Sequence, residues 1–157
     1  MITKQRITPF LCYKDQAAEA AEFYVSVVPD SHIIRKVANP STDAILSVEF
    51  DLAGLRFVAL NAGQDWKFTE AFSLAIQCDT QEELDRLWVN LLSEGGEELA
   101  CGWLKDRFGM CWQITPSQLS HWTASHDPLA VQRMFKAMWQ MKKLDIAVLQ
   151  KAFDDQL

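Results

Sequence analysis

Several features are missing from this 157-residue sequence, and each absence excludes a class of protein. No apolar stretch approaches the roughly 20 residues that a membrane-spanning helix requires. The apolar stretch from Ile7 to Tyr13 is too short for a signal peptide, and it contains Thr and Pro. These absences predict a cytoplasmic protein with no membrane partner.

An excess of basic residues is also missing, since 15 Lys and Arg stand against 21 Asp and Glu and the net charge is -6. Nucleic acids and anionic surfaces require a basic face on their partners, so no nucleic-acid partner is expected. Apolar residues make up 49% of the chain and charged residues 23%, which are ordinary values for a globular protein and exclude disorder. Residues 1–157 are therefore predicted to form a single domain.

Closely spaced cysteine pairs are absent too. The four cysteines, Cys12, Cys78, Cys101 and Cys111, show no CxxC spacing, which argues against a zinc ribbon or a redox motif. Their even number permits disulfides, but a chain of this length buries a core without them. We expect reduced thiols, most of them buried.

What the sequence does contain is a repeated order of elements. Residues 7–61 predict a strand, a helix and three further strands, and residues 72–116 repeat that order. The repeat aligns the first strand, Ile7–Tyr13, with Phe72–Cys78. This tandem βαβββ order predicts an α+β fold with a curved, barrel-like mixed sheet and helices outside it.

Residues 117–157 differ from both halves and predict a C-terminal helical appendage. Asp127-Pro128 is an N-cap and first-turn pair, and it opens a helix rich in Met and aromatic residues that ends near Met141. This helix has more apolar surface than one sheet edge requires. It therefore packs either within its own chain or against a second copy in a homodimer.

Strand alternation assigns the side chains of each hairpin to two faces. The apolar face of the first hairpin is predicted to consist of Val48, Phe50, Leu55, Phe57 and Ala59. Glu49 and Arg56 fall opposite each other on the other face, where Arg56 is either part of a surface ion pair or an anchor for a carboxylate or phosphate. In the second hairpin, Trp103 is expected to pair with Trp112 on the apolar face.

The other face of each half carries a mixture of polar and small side chains. It either faces solvent or lines a ligand pocket. We predict a cavity formed by both halves, lined or rimmed by Phe10, Cys12, Glu49, Arg56, Asn61, Trp66, Phe68, Gln77, Leu104, Cys111 and Gln113. Glu49 and Glu70 are candidate acid–base groups for an enzyme. Cys12 and Cys111 are candidate nucleophiles, although no His is placed nearby to activate a thiol.

These residues also give the chain a resemblance to a known family. The βαβββ–βαβββ order and the segment 106–114 (DRFGMCWQI) resemble the vicinal oxygen chelate superfamily, which includes glyoxalase I, bleomycin-resistance proteins and extradiol dioxygenases. Its PhnB-like branch, often named 3-demethylubiquinone-9 3-methyltransferase, is resembled by 7–11 (ITPFL), 18–24 (AEAAEFY), 60–63 (LNAG), 67–71 (KFTEA), 101–106 (CGWLKD) and 141–146 (MKKLDI). The resemblance covers about residues 6–153 and implies the same fold and a homodimer.

The resemblance also implies where a metal would sit. Superfamily enzymes commonly hold a divalent ion with His, His and Glu from the first, fifth and eighth strands. The matching positions here are Thr8 or Pro9, Ser73 and Gln113, which supply neither an imidazole nor a carboxylate. We therefore predict no metal and no other cofactor. The methyltransferase name implies S-adenosylmethionine, but the chain lacks the Gly-rich loop that usually follows the first strand in such enzymes.

Different classes of function remain open at this point. We favour a protein that binds a small organic molecule in the cavity of a homodimer without the usual metal, since bleomycin-resistance relatives show that such a cavity works without catalysis. One alternative is an enzyme acting on a small aromatic or quinone-like substrate, and another is a metal-dependent enzyme of the glyoxalase or dioxygenase type. A further alternative is an interaction module. The sequence does not decide whether the chain is an enzyme.

Overall fold

The computed structural model describes residues 5–156. The chain divides after Lys67 into two compact units, and each unit builds its own sheet. The order strand, helix, strand, strand, strand occurs once in each unit, which confirms the predicted tandem βαβββ architecture and the α+β class. The sequence predicts one curved, barrel-like mixed sheet, and the structure has two four-stranded mixed sheets, one in each unit.

The first unit is a mixed sheet covered by a helix. Its elements are β1 (Phe10–Tyr13), α1 (Ala17–Val27), β2 (His32–Ala38), β3 (Ile45–Leu52) and β4 (Leu55–Asn61). The strands lie in the order β1-β4-β3-β2, with β1 parallel to β4 and the other neighbours antiparallel. The turn Ala53-Gly54 joins β3 to β4, and its φ values of 49° and 91° are typical of a tight hairpin turn.

Four of the five residues predicted for the apolar face of the first hairpin are buried, whereas the fifth, Leu55 beside the turn, is 44% exposed. Phe50 pairs with Phe57 and Val48 with Ala59, and these side chains are buried on the side of the sheet that α1 covers. The rings of Phe50 and Phe57 stack with their centroids 5.6 Å apart. Most buried residues of α1 are alanines, whose small side chains let the helix approach the sheet closely.

The predicted pairing of Glu49 with Arg56 is wrong. The hairpin places Val58 opposite Glu49 and Asp51 opposite Arg56, so the carboxylate and the guanidinium are two residues out of register. Glu49 forms an ion pair with Arg35 instead, which lies beside it on β2. Arg35 comes from a more distant segment of the chain, and the alternation within one hairpin contains no information about it.

The second unit repeats the sheet and adds the C-terminal helices. Its elements are β5 (Ser73–Cys78), α2 (Gln81–Leu91), β6 (Glu97–Glu98), β7 (Trp103–Lys105), β8 (Cys111–Pro116), α3 (Leu119–Thr123), α4 (Pro128–Met138) and α5 (Ile146–Phe153). The strands lie in the order β5-β8-β7-β6, which repeats the order of the first sheet, and β5 is parallel to β8. The side chain of Thr80 accepts a hydrogen bond from the Glu83 amide and caps α2, as the sequence predicts.

The second hairpin has a different register from the predicted one. Trp103 pairs with Gln113, and Trp112 pairs with Leu104, so the two tryptophans lie on opposite faces of the sheet. Trp112 is buried, and its indole N–H donates a hydrogen bond of 2.9 Å to a carboxylate oxygen of Asp106 in the turn. The predicted Trp103–Trp112 pair is therefore wrong, because the turn held by Asp106 shifts the register of the strands.

The C-terminal helices are confirmed, and they begin at capped positions. Asp127 caps α4 ahead of Pro128, and Asp145 caps α5. The side-chain amide of Gln81 on α2 donates to the Leu144 carbonyl oxygen at 3.0 Å and accepts from the Ile146 amide at 2.9 Å, which attaches the start of α5 to α2. Within residues 5–156, no helix is long and apolar enough to cross a membrane.

Candidate functional site

The side of the second sheet that faces away from α2 is mixed in character, and we call it the second open face. It consists of Ser73, Ala75 and Gln77 on β5, Trp103 and Lys105 on β7, and Cys111, Gln113 and Thr115 on β8. Lys105, Cys111 and Ser73 form one row across the three neighbouring strands. Trp103 and Gln113 lie in the next row. Side chains of one row are about 5 Å apart, so a small molecule can contact several of them.

A neutral hydrogen-bonded pair lies in the middle of the second open face. The side-chain amide nitrogen of Gln113 donates to the Ser73 hydroxyl oxygen at 2.9 Å. Ala75 is the register partner of Gln113, so this bond runs diagonally between the two strands. Both polar side chains are half-buried. The pair offers a donor and an acceptor to a ligand and carries no charge.

An ion pair lies at the edge of the same face. The ammonium group of Lys105 donates to a carboxylate oxygen of Glu70 at 2.8 Å. This hydrogen bond lowers the pKa of Glu70 and raises the pKa of Lys105, so both groups are charged at neutral pH. Glu70 is one of the two acid–base candidates that the sequence predicts. As an ionised carboxylate it is suited to act as a base and not as an acid.

The thiol of Cys111 lies between Lys105 and Ser73 in the first row. Its side chain is fully buried, and this burial raises its pKa even though the Lys105 ammonium acts in the opposite direction. A thiol with a raised pKa is neutral and weakly nucleophilic at physiological pH. The structure therefore favours Cys111 as a buried packing residue of the sheet over Cys111 as a nucleophile.

The corresponding face of the first sheet brings other predicted residues together. Phe10, Val58, Glu49 and Arg35 lie in one row across the four strands of that sheet. Phe10 is 58% exposed, and Glu49 is ion-paired with Arg35. Cys12 lies in the next row and is half-buried. This face thus combines an exposed aromatic ring with a carboxylate that is paired with a guanidinium group.

Leu104 is not on an open face. It pairs with Trp112 on the helix-covered side of the second sheet and is fully buried, so its predicted place in the pocket lining is corrected to the core. The error follows from the register shift of the second hairpin.

The side chain of Asn61 links the start of α1 to β3 within the first unit. Its side-chain oxygen accepts a hydrogen bond of 2.8 Å from the Ala17 amide at the start of α1, and its side-chain nitrogen donates to the Ile45 carbonyl oxygen at 2.9 Å. These bonds occupy the amide at both ends, which leaves it less able to hold a ligand.

The other predicted rim residues are exposed to different extents. Trp66 is 61% exposed, and Phe68 is half-buried. Arg56 lies on β4, where its backbone is hydrogen-bonded to the side-chain amide of Gln5 in both directions. Their assignment to a pocket stays a prediction.

Sequence reasoning missed Trp103 and Lys105 as members of the second open face. The alternation pattern puts Lys105 at the end of a strand and Trp103 on the apolar side. The signal that could have identified them is the Asp106 turn, because a register that pairs Lys105 with Cys111 puts both on the face of Gln113. Alternation alone cannot reveal that register.

Ser73 and Gln113, the positions at which the resemblance implies metal ligands, do not form a donor set that fits a divalent ion. Ser73 and Gln113 supply a hydroxyl and an amide, and these groups are hydrogen-bonded to each other. Zn²⁺ and Mn²⁺ are usually held by imidazole, thiolate or carboxylate groups. Within residues 5–156, no cluster of at least three His, Cys, Asp or Glu side chains is arranged to hold a metal ion. Thr8 and Pro9 add no ligand of a better kind.

Two tandem βαβββ units with open mixed sheets define the fold of the vicinal oxygen chelate superfamily. The fosfomycin resistance protein FosX from Listeria monocytogenes, solved with Mn(II) and 1S,2S-dihydroxypropylphosphonic acid, has a similar fold, with 16% identity and a TM-score of 0.57 over 77% of this chain and 98% of that chain. Protein PA1353 from Pseudomonas aeruginosa is also similar in fold, with 18% identity and a TM-score of 0.56 over 71% of this chain and 98% of that chain.

The sequence profile of the 3-demethylubiquinone-9 3-methyltransferase family matches residues 5–115. The chain therefore belongs to this PhnB-like family. A PhnB protein from Bacillus cereus that carries the same methyltransferase name is 29% identical, with a TM-score of 0.66 over 72% of this chain and 100% of that chain. No curated protein matches the chain.

Proposed function

We propose that this protein binds a small organic molecule on the second open face, without a divalent metal at Ser73 and Gln113. The observation that carries the proposal is the hydrogen bond between these two side chains. At the strand positions where the superfamily resemblance implies metal ligands, this chain has a neutral donor–acceptor pair instead. Ligand sites combine apolar walls with a few convergent polar groups, and this face has that composition.

Each part of the face has a role in the proposed binding. One N–H of the Gln113 amide is engaged with Ser73, and the same amide also carries a carbonyl acceptor and a second N–H donor. Trp103 lies beside Gln113 in the row and is half-buried, so a flat ligand can pack against its indole. Gln77 is exposed and Thr115 half-buried, and they add polar groups further along the face.

The experiment is a ligand screen by two-dimensional NMR with the full chain and a panel of phenol, benzamide, benzoate and S-adenosylmethionine. We expect at least one aromatic member to shift the amide signals of Ala75, Trp103 and Gln113, and to do so less strongly in Gln113→Leu. The variant Asn90→Leu, at an exposed position of α2 on the other side of the sheet, is the matched control. Shifts confined to other parts of the chain would contradict the proposal.

A second candidate function is the methyl transfer in the family name. It is supported by the family match over residues 5–115 and by the name of the Bacillus cereus protein. An acceptor hydroxyl would need a base, and the ionised Glu70 is the candidate on the second open face. Methylation of a phenol by S-adenosylmethionine, lost in Glu70→Gln and retained in Glu97→Gln, would support this candidate. Absence of S-adenosylmethionine binding at millimolar concentration would reject it.

We also propose that the chain acts as a homodimer. The support is an apolar surface on α4, where Leu129 is 64% exposed and Trp139, just after the helix, is 60% exposed. The ring of Trp139 stacks on Phe135 at 6.1 Å. Light scattering at micromolar concentration is expected to give the mass of a dimer, and Trp139→Ser should shift it towards the monomer. Val89→Ser removes an apolar side chain of similar exposure and should leave the mass unchanged; a monomeric wild type would contradict the proposal.

A further inference from the structure

We propose that the ligand of the second open face is a small organic acid, whose carboxylate or phosphonate binds Lys105 and displaces Glu70 from it. This inference deepens the proposed function and rests on it, because both use the same face. It adds a ligand class and a residue, Glu70, that competes with the ligand.

The position of Lys105 lets one small molecule span the face. Lys105, Cys111 and Ser73 lie side by side on β7, β8 and β5. Neighbouring strands are about 5 Å apart, so the backbones of Lys105 and Ser73 are separated by about 10 Å. A molecule of the size of benzoate can therefore reach the ammonium group at one end and the Ser73–Gln113 pair at the other.

The charges around Lys105 are unevenly distributed. The lysine side chain is 29% exposed, and the groups on its β8 side in the row, the Cys111 thiol and the Ser73 hydroxyl, are neutral. Two carboxylates act on the ammonium: Glu70, which is hydrogen-bonded to it, and Glu97, which is its register partner in the same row on β6. Asp106 follows it in the chain, but that carboxylate is buried and holds the turn.

The Glu70 side chain can be displaced from Lys105 easily. Its side chain is 62% exposed and comes from the loop before β5. An exposed ion pair of this kind contributes little to stability, so Glu70 can leave Lys105 at small cost. An incoming acid bonds to the ammonium in its place, and the rest of the molecule packs over the Ser73–Gln113 pair and the Trp103 indole. The carboxylate of Glu70 thus occupies the place that the ligand's own acid group would take.

The test compares benzoate with benzamide, which have the same shape and differ in charge. Dissociation constants are measured by NMR titration of the full chain, following the Trp103 and Gln113 signals. We expect wild-type protein to bind benzoate more tightly than benzamide. Lys105→Gln should weaken benzoate about tenfold or more, because a hydrogen bond between charged groups is lost, and should leave benzamide unchanged. Lys105→Arg keeps the charge and should retain most of the benzoate affinity.

The competition is tested with a matched pair of variants. Glu70→Gln removes the competing carboxylate and should tighten benzoate binding about two- to fivefold. Glu97→Gln removes the same charge from a neighbour that is not hydrogen-bonded to Lys105, and should change the affinity less than about twofold. Equal effects of the two variants would overturn the displacement of Glu70.

The outcomes separate this inference from the proposed function. Equal binding of benzoate and benzamide, unaffected by Lys105→Gln, would overturn the acid specificity while the proposed binding on this face stands. Failure of benzoate to shift any signal of the face would overturn the acid specificity, and failure of every aromatic member of the panel would overturn the proposed binding as well.

Discussion

Gln113 on β8 donates a hydrogen bond of 2.9 Å to the hydroxyl oxygen of Ser73 on β5, across the diagonal of two parallel strands. In relatives that hold a metal, we expect ligands at the strand positions of these residues. Because Ser73 and Gln113 are hydrogen-bonded to each other, their side chains are held in position without a cation. This hydrogen bond makes the site better suited to an organic ligand than to a cation.

We expect the double variant Ser73→His/Gln113→Glu to gain affinity for Mn²⁺ or Zn²⁺ by about tenfold or more relative to wild-type protein, because it supplies an imidazole and a carboxylate on neighbouring strands. Isothermal titration calorimetry on metal-stripped protein measures the change. Gln113→Glu alone should fall between the two. Wild-type protein that binds the ion as tightly as the double variant would contradict our interpretation of the site.

The buried carboxylate of Asp106 is expected to be important for stability. It accepts hydrogen bonds from the amides of Phe108 and Met110 and from the Trp112 indole at 2.8–3.1 Å. Asp106→Ala leaves these donors without that acceptor, and we expect the free energy of unfolding to fall by about 2–4 kcal/mol. Asp106→Asn, which keeps one oxygen, should lose less.

Urea unfolding followed by fluorescence measures the effect of Asp106. The exposed carboxylate of Asp65, substituted as Asp65→Ala, is the control and should change the midpoint little. An Asp106→Ala variant as stable as that control would show that the turn holds its register without the carboxylate.

Gly102 allows a close approach that no other residue can make at that position. Its φ is +80°, and an added Cβ would lie 2.9 Å from the Ile114 carbonyl oxygen and 2.9 Å from a Leu144 methyl carbon. Gly102→Ala should therefore cost about 2–4 kcal/mol of unfolding free energy. Gly63→Ala has a similar φ of +68° in open space, and should cost only about 1 kcal/mol for the backbone conformation. Thermal unfolding of the two variants checks the difference, and equal losses would contradict it.

Stability should also fall at alkaline pH because of Cys78. Burial raises the pKa of this thiol from the ordinary value of 9.0 to about 12. The unfolded chain then loses the thiol proton at a lower pH than the folded chain, so the stabilisation is complete below pH 9 and is lost as the pH rises towards 12. The free energy of unfolding, measured from pH 8 to 11, should decline less steeply in Cys78→Ala than in wild-type protein. Parallel slopes for the two proteins would contradict the assignment.

The sequence by itself determined the local structure of this protein, that is, the strand faces and the order of the elements. Period-two alternation placed Val48, Phe50, Phe57 and Ala59 on one buried face, since each lies in a strand whose turn, Ala53-Gly54, is short and unambiguous. The repeated order of elements likewise predicted the tandem βαβββ fold, and the family followed from the short segments that resemble the PhnB-like branch.

Tertiary structure decided what depends on register and on distant partners. The carboxylate of Asp106 fixes the longer turn of the second hairpin, and this separates Trp103 from Trp112 and moves Leu104 into the core. Glu49 finds Arg35 on another strand, because ion pairs form between side chains that the sheet brings together and not between neighbours in sequence. The absence of a metal-binding residue at Ser73 and Gln113 is visible in the sequence, but the hydrogen bond between them exists only because β5 and β8 are adjacent.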